Sequence, residues 1–254
     1  MVGVLTHQST RAASGEVREA AARVGAEAVS NKLKQRFPLL DLGAAIAPIV
    51  AEIEPAVAAL AGLAPDPLAQ EGVDLARTAQ GEQTTLVEAW LDDSSLVGPR
   101  TALWIRVAAA PVLELAAADV EPPGSQEWAG RACPLCGDSP QCSAIVEESG
   151  GWLQGSPRYL VCARCGGWWA YPRAVCASCG EDDSRLIVPY VDEAMPWVRV
   201  DACDACRDYI KTFDFREKGA LGAIPAVDDV ATLTLDVWAH ENGLNRPASS
   251  LAGV

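Results

Sequence analysis

The first 132 residues of this 254-residue chain contain no cysteine, and the whole chain has only two histidines. Thiol chemistry is thereby confined to the second half, and a histidine-based site has almost nothing to be built from. Basic residues are also scarce: 20 Lys and Arg stand against 34 Asp and Glu, a net charge of −14 with a pI near 4.5. Up to Ala129 there are 17 acids and 9 bases, and beyond it 17 and 11, so neither half is basic. A nucleic-acid partner, which needs cations to displace phosphate counterions, is disfavoured. The start, "MVGVLTHQSTRAASGEVREAA", has no apolar stretch behind a basic end, so no secretory signal is read and a cytoplasmic protein is expected. The longest apolar region, "DLGAAIAPIVAEIEPAVAALAGLAP", is interrupted by Glu52, Glu54 and two prolines and reads as no membrane insertion.

What is present divides near residue 120. Before it, apolar residues recur at helical spacing; Ile46, Ile49, Val50, Ile53, Val57 and Leu60 mark one face of a helix that Pro48 and Pro55 should kink or split. "PLAQEGVDLARTAQ", "QTTLVEAWL" and "TALWIRVAAAPVLELAAADV" read as further helices, the last threatened at Pro111. A small helical bundle over residues 1–121 follows. After a linker at 122–130 come all nine cysteines and short strand-like runs: "RYLV", "GWWAY", "RLIVPYV", "PWVRV" and "YIKTFDF". The tail "AVDDVATLTLDVWAHENGLNRP" reads as one helix, capped at Asp228 or Asp229 and ended at Gly243. Val230, Leu233, Val237 and Trp238 should face inward, with His240 on the surface. The fold class is α+β.

Eight of the nine cysteines form four C-x-x-C turns: Cys133/Cys136, Cys162/Cys165, Cys176/Cys179 and Cys203/Cys206. One such turn is weak evidence; four are a framework. Two residues between cysteines let both sulfurs reach one ion, at about 2.3 Å from zinc. Gly137, Gly166 and Gly180 follow the second cysteine where a positive φ is needed; Arg207 stands there in the fourth turn. The turns also repeat: the first and third pairs lie 43 residues apart, the second and fourth 41. "RYLVCARCGGW" aligns on "RVDACDACRDY", Arg158 over Arg199 and Trp168 over Tyr209, so two modules are expected at 131–173 and 174–218, with a C-terminal helix and tail at 219–254. Cys133 and Cys136 are paired with Cys162 and Cys165, and Cys176 and Cys179 with Cys203 and Cys206; an interleaved cross-brace fits the same spacings. Disulfides and a redox dithiol are less favoured than two metal ions, Zn or Fe, each bound by four cysteines. Closed thiolate sites leave no water to activate, so metal-assisted hydrolysis is disfavoured. Cys142 is left over as a small buried hydrophobe. Trp152, Trp168, Trp169 and Trp197 are candidate partner contacts or, equally, packing over the metal turns.

"CPLCG", "RYLVCARC", "AVCASCG", "VDACDACRDYIKTFDFREKG" and the Asp-rich terminal helix, spanning about Arg131 to Arg246, resemble the formate dehydrogenase accessory protein (FdhE) family. The resemblance implies a helical N-terminal region followed by tandem rubredoxin-like or zinc-ribbon modules, with the eight C-x-x-C cysteines as metal ligands. It also implies a cytoplasmic, non-enzymatic maturation factor that binds the catalytic subunit of formate dehydrogenase. A rubredoxin-like iron electron-transfer protein is the alternative, and a zinc-ribbon nucleic-acid binder is disfavoured by charge.

Overall fold

The structure, a computed structural model, describes residues 2–146, 156–218 and 224–248. Trp152 lies outside them. The chain forms two compact units, Met1–Glu121 and Pro122–Val254, of α+β class as expected: helices first, then a sheet carrying the cysteine turns.

The first unit is built from α1 (Val2–Ala12), α2 (Gly15–Gly25), α3 (Ala28–Leu33), α4 (Leu42–Leu60), α5 (Asp66–Arg77), α6 (Gln80–Asp92) and α7 (Pro99–Ala118). Ser14 and Asp41 cap α2 and α4, their side chains accepting from the amides of Val17 and Ala44. Neither Pro48 nor Pro55 breaks α4, and Pro111 does not break α7. An interior proline costs about 3 kcal/mol. Against this, Ile49, Ile53, Val57 and Leu60 are buried on α4, and each contributes roughly 1.5–3 kcal/mol by leaving water. Packing thus outweighs the lost backbone bonds. Glu52 lies on the same buried stripe because Arg11 of α1 grips its carboxylate through two hydrogen bonds, of 2.6 and 2.7 Å. The segment Leu42–Leu63 and helix α7 are long and apolar enough to cross a membrane by length and composition. In the fold they are helices of the first unit's core, their apolar residues turned to neighbouring helices.

Helix α5 meets α7 at Gly72, where a Cβ would lie 2.4 Å from the Trp104 ring. Trp104 is held there by its indole N–H donating to the Leu68 carbonyl at 2.8 Å. Alanine at 72 gains roughly 1 kcal/mol of helix propensity but forces overpacking worth about 1–3 kcal/mol. Gly72→Ala is therefore expected to lower the melting temperature of the first unit, as read by circular dichroism.

The second unit holds a six-stranded sheet: β1 (Pro140–Ile145), β2 (Arg158–Cys162), β3 (Trp168–Ala170), β4 (Ile187–Val191), β5 (Val198–Cys203) and β6 (Tyr209–Asp214). Their order is β3-β2-β1-β6-β5-β4. Each Cys-rich module contributes three antiparallel strands in the same internal order, and β1 joins β6 in parallel, with Ser143 opposite Thr212. The modules therefore add head to tail into one sheet. The aligned residues occupy equivalent places: Arg158 and Arg199 on the central strands β2 and β5, Trp168 and Tyr209 at the starts of β3 and β6.

After the short helix α8 (Phe215–Lys218), the tail forms two helices rather than one: α9 (Pro225–Ala231) and α10 (Leu233–Glu241). Thr232 breaks them. Its hydroxyl donates to the carbonyls of Asp228 and Asp229, competing with the backbone ladder. Asp228 caps by reaching back to the Ile224 amide, whereas Asp229 is wholly buried and caps nothing. The break also shifts the inward face: Leu235, Asp236 and Ala239 are buried, while Val237 is exposed and Trp238 partly so. Gly243 ends α10 at φ 70°, and His240 is exposed, both as expected.

Candidate metal centres

All four turns have one backbone design. The amide of each first cysteine donates to the carbonyl five residues on: Cys133 to Asp138, Cys162 to Gly167, Cys176 to Glu181 and Cys203 to Asp208, at 2.8–2.9 Å. That closure demands a left-handed residue after the second cysteine. Gly137, Gly166 and Gly180 take it at φ 81°, 64° and 83°, and Arg207 takes it at φ 63°. A non-glycine residue pays roughly 1–2 kcal/mol for that conformation. Arg207 is held in it by its guanidinium donating to the Asn242 carbonyl and by its own carbonyl accepting from Asn245.

The structure brings the cysteines together as the spacing suggested and not as a cross-brace. Cys133, Cys136, Cys162 and Cys165 form one cluster, and Cys176, Cys179, Cys203 and Cys206 the other, each with sulfurs within 4.8 Å of one another. In the first, Cys133–Cys165 and Cys136–Cys162 are 3.7 and 3.3 Å apart; in the second, Cys176–Cys206 and Cys179–Cys203 are 3.8 and 3.7 Å. No disulfide joins them; all nine cysteines are free. Four sulfurs about 2.3 Å from one ion sit roughly 3.8 Å from each other in a tetrahedron, so both clusters fit a thiolate-held metal. Burial pushes the Cys162 thiol up, and Cys165 is pushed well up by its neighbours Cys133, Cys136 and Cys162. Four such thiolates coexist only with positive charge among them, which a divalent ion supplies. The amide of Arg164 donates to Cys162 Sγ and that of Ser178 to Cys176 Sγ, spreading thiolate charge onto the backbone.

Cys142 is fully buried in the second unit's core beside Val161, Val200 and Tyr209, and burial drives its thiol far above the ordinary range, so it stays protonated. Among the tryptophans, Trp169 is buried, its indole donating to the Gly130 carbonyl, and is no surface contact. Trp168 and Trp197 are partly buried against the core cluster. Trp168, Trp169 and Trp197 thus all pack against neighbouring core residues, the first and last with part of the side chain left accessible.

Sequence reading missed a buried ion network. Lys211, fully buried on β6, places Nζ 2.7 Å from Asp229 and 2.6 Å from Asp236, and also donates to Thr232. Arg246 reaches both carboxylates at 3.0–3.2 Å and the Gln141 carbonyl at 2.8 Å. Tyr209 donates to Asp236, and Gln141 to Asp229. Two cations face two carboxylates, so the cluster is neutral as a whole. A signal existed: in "YIKTFDF", two-residue alternation puts Lys211 on the face of Tyr209 and Phe213, a lysine aimed inward.

Residues 175–252 match the family described as "FdhE, C-terminal domain". A protein FdhE homolog of Aquifex aeolicus is 33% identical over 128 residues, 50% of this chain and 44% of that protein. One from a Shewanella species is 42% identical over 111 residues, 44% of this chain and 34% of that one. The chain thus spans less than half the length of the curated relatives it matches. The crystal structure of the FdhE protein from Pseudomonas aeruginosa superposes with a TM-score of 0.63 at 20% identity, covering 89% of this chain and 77% of that one, a likeness of fold. The resemblance to the formate dehydrogenase accessory protein (FdhE) family read from the cysteine turns and terminal helix is borne out by these similarities, with residues 175–252 matching that family's C-terminal domain.

Proposed function

We propose that this chain is a non-catalytic accessory factor for formate dehydrogenase, acting in the cytoplasm by docking that enzyme's catalytic subunit during maturation. The observation that carries the reading is the pair of four-sulfur clusters, the second of them within the stretch that matches the FdhE C-terminal domain. Cys133, Cys136, Cys162 and Cys165 would hold one ion, and Cys176, Cys179, Cys203 and Cys206 a second, zinc or iron. A bound ion supplies a cross-link between two turns that are far apart in sequence. The chain's own residues do the rest: the turn amides steady the thiolates, β1 and β6 weld the modules, and the buried ion network ties α9 and α10 to the sheet. With all four ligand positions filled by cysteine, the clusters offer support for a docking surface rather than an open position for catalysis. Tagged full-length protein is expected to recover a molybdenum- or tungsten-containing formate dehydrogenase subunit from native lysate at physiological salt. Recovery of no such subunit, with the metal-loaded chain intact, sinks the docking role.

A further inference from the structure

The two clusters share their turns but not their covers. Cys133, Cys136, Cys162 and Cys165 are each no more than 2% exposed, whereas Cys179 is exposed and Cys206 partly so. The repeat locates the cause in the residues between and beside the cysteines. In the first cluster these include Leu135 and Arg164, 2% and 5% exposed. Their counterparts in the second are Ser178, half-buried, and Ala205, exposed. Leu135 can lie flat over the sulfurs because Gly167 faces it: a Cβ on Gly167 would stand 2.6 Å from Leu135 Cδ1 and 3.2 Å from Cys165 Sγ. The counterpart of Gly167 is Asp208, whose carboxylate accepts a hydrogen bond from the Ser178 hydroxyl. An apolar lid over one cluster is thus replaced by a polar, half-buried pair over the other. A small, water-sized cleft has Cys176, Cys203, Ser178 and Asp208 among its lining residues.

We propose that the second cluster is a metal-exchange site, giving up and taking back a soft divalent ion, while the first keeps its ion as long as the unit is folded. The proposal rests on the reading of both clusters as metal sites. Loss of an ion from a closed thiolate site requires an incoming donor to reach it. At the second cluster that donor forms its bond as the exposed Cys179 thiolate leaves; the freed thiolate takes a proton from water, and no electron moves. A small thiol, or a nitrogen or oxygen chelator, fits the access that Ser178 and Asp208 leave. Leu135, Gly167 and Arg164 deny the same approach to the first.

The test begins with the full chain loaded to two zinc ions, verified by metal analysis, then challenged with excess 4-(2-pyridylazo)resorcinol. Release is expected in two equal phases whose rates differ by about tenfold or more. N-ethylmaleimide added at the end of the fast phase should label Cys176, Cys179, Cys203 and Cys206 and spare the other five, by peptide mass spectrometry. The pair Ser178→Leu with Asp208→Gly, which rebuilds the first cluster's lid, should slow the fast phase towards the slow one. Two bound ions leaving in one phase, or early labelling of Cys133 or Cys165, overturns the exchange site and leaves the two-metal reading standing. Failure to load two ions removes that reading itself, and the inference with it. If the double variant does not fold, the labelling order in the unaltered protein still decides.

Discussion

Lys211→Met is expected to lower the stability of the second unit by about 3–5 kcal/mol, because it leaves two buried carboxylates sharing one guanidinium. Asp229 and Asp236 lie at 0% side-chain exposure, and Lys211 contacts both. Methionine fills much the same volume, so the effect reports charge and hydrogen bonding rather than a cavity. With a whole domain stabilised by only about 5–15 kcal/mol, such a loss is visible as earlier urea unfolding of the sheet. The decisive control is Lys211→Met with Asp236→Asn, which restores neutrality and should recover a good part of the loss. A double variant as unstable as the sum of the singles would show that charge balance is not what the network provides. The pH dependence has a definite sign. Burial by itself would raise the Asp229 carboxyl, but Arg246 and Lys211 overcome that and hold it below its ordinary value of 3.8. Its contribution is therefore fully present above the unfolded value and is lost only as pH falls through the lower folded one.

Removing the metals is expected to be the larger blow. Binding of a structural zinc to four cysteines is worth about 10–16 kcal/mol near neutral pH, comparable to or above a domain's whole net stability. Prolonged chelation, or Cys136→Ser in the enclosed first cluster, should unfold the second unit while the helical first unit, which has no cysteine, keeps its far-ultraviolet signal. Cys179→Ser, at the exposed edge of the second cluster, should cost much less. Hydrogen exchange distinguishes the outcomes directly. If β2 and β5 stay protected in fully metal-free protein, the ions do not support the fold, and the buried core with its ion network carries the unit alone.

Much of the site was legible because the rules that fix it are local. A C-x-x-C turn needs its two sulfurs two residues apart and a positive φ just after, and both demands are written in adjacent residues. Arg207 shows the limit: sequence marks it as a departure, but the contacts with Asn242 and Asn245 that hold it lie some 35 residues on. The five strands rich in aromatic and β-branched residues were equally plain. β1 was not. "PQCSAI" has poor strand propensity and is a strand because all six positions are buried between β2 and β6. The prolines of α4 and the split of α9 from α10 failed for one reason, that burial and side-chain bonding from elsewhere override a local preference.

The sequence by itself determined which eight cysteines turn in pairs, that the modules repeat, that helices precede strands, and that the surface is acidic. The tertiary structure alone decided that the modules join head to tail through β1 and β6, that Lys211 is an internal cation, and that one cluster is sealed while the other is not. The division follows range. Turn geometry and hydrophobic period are set by neighbours along the chain, whereas a parallel strand pair, a buried charge and a lid depend on which distant surfaces exclude water together.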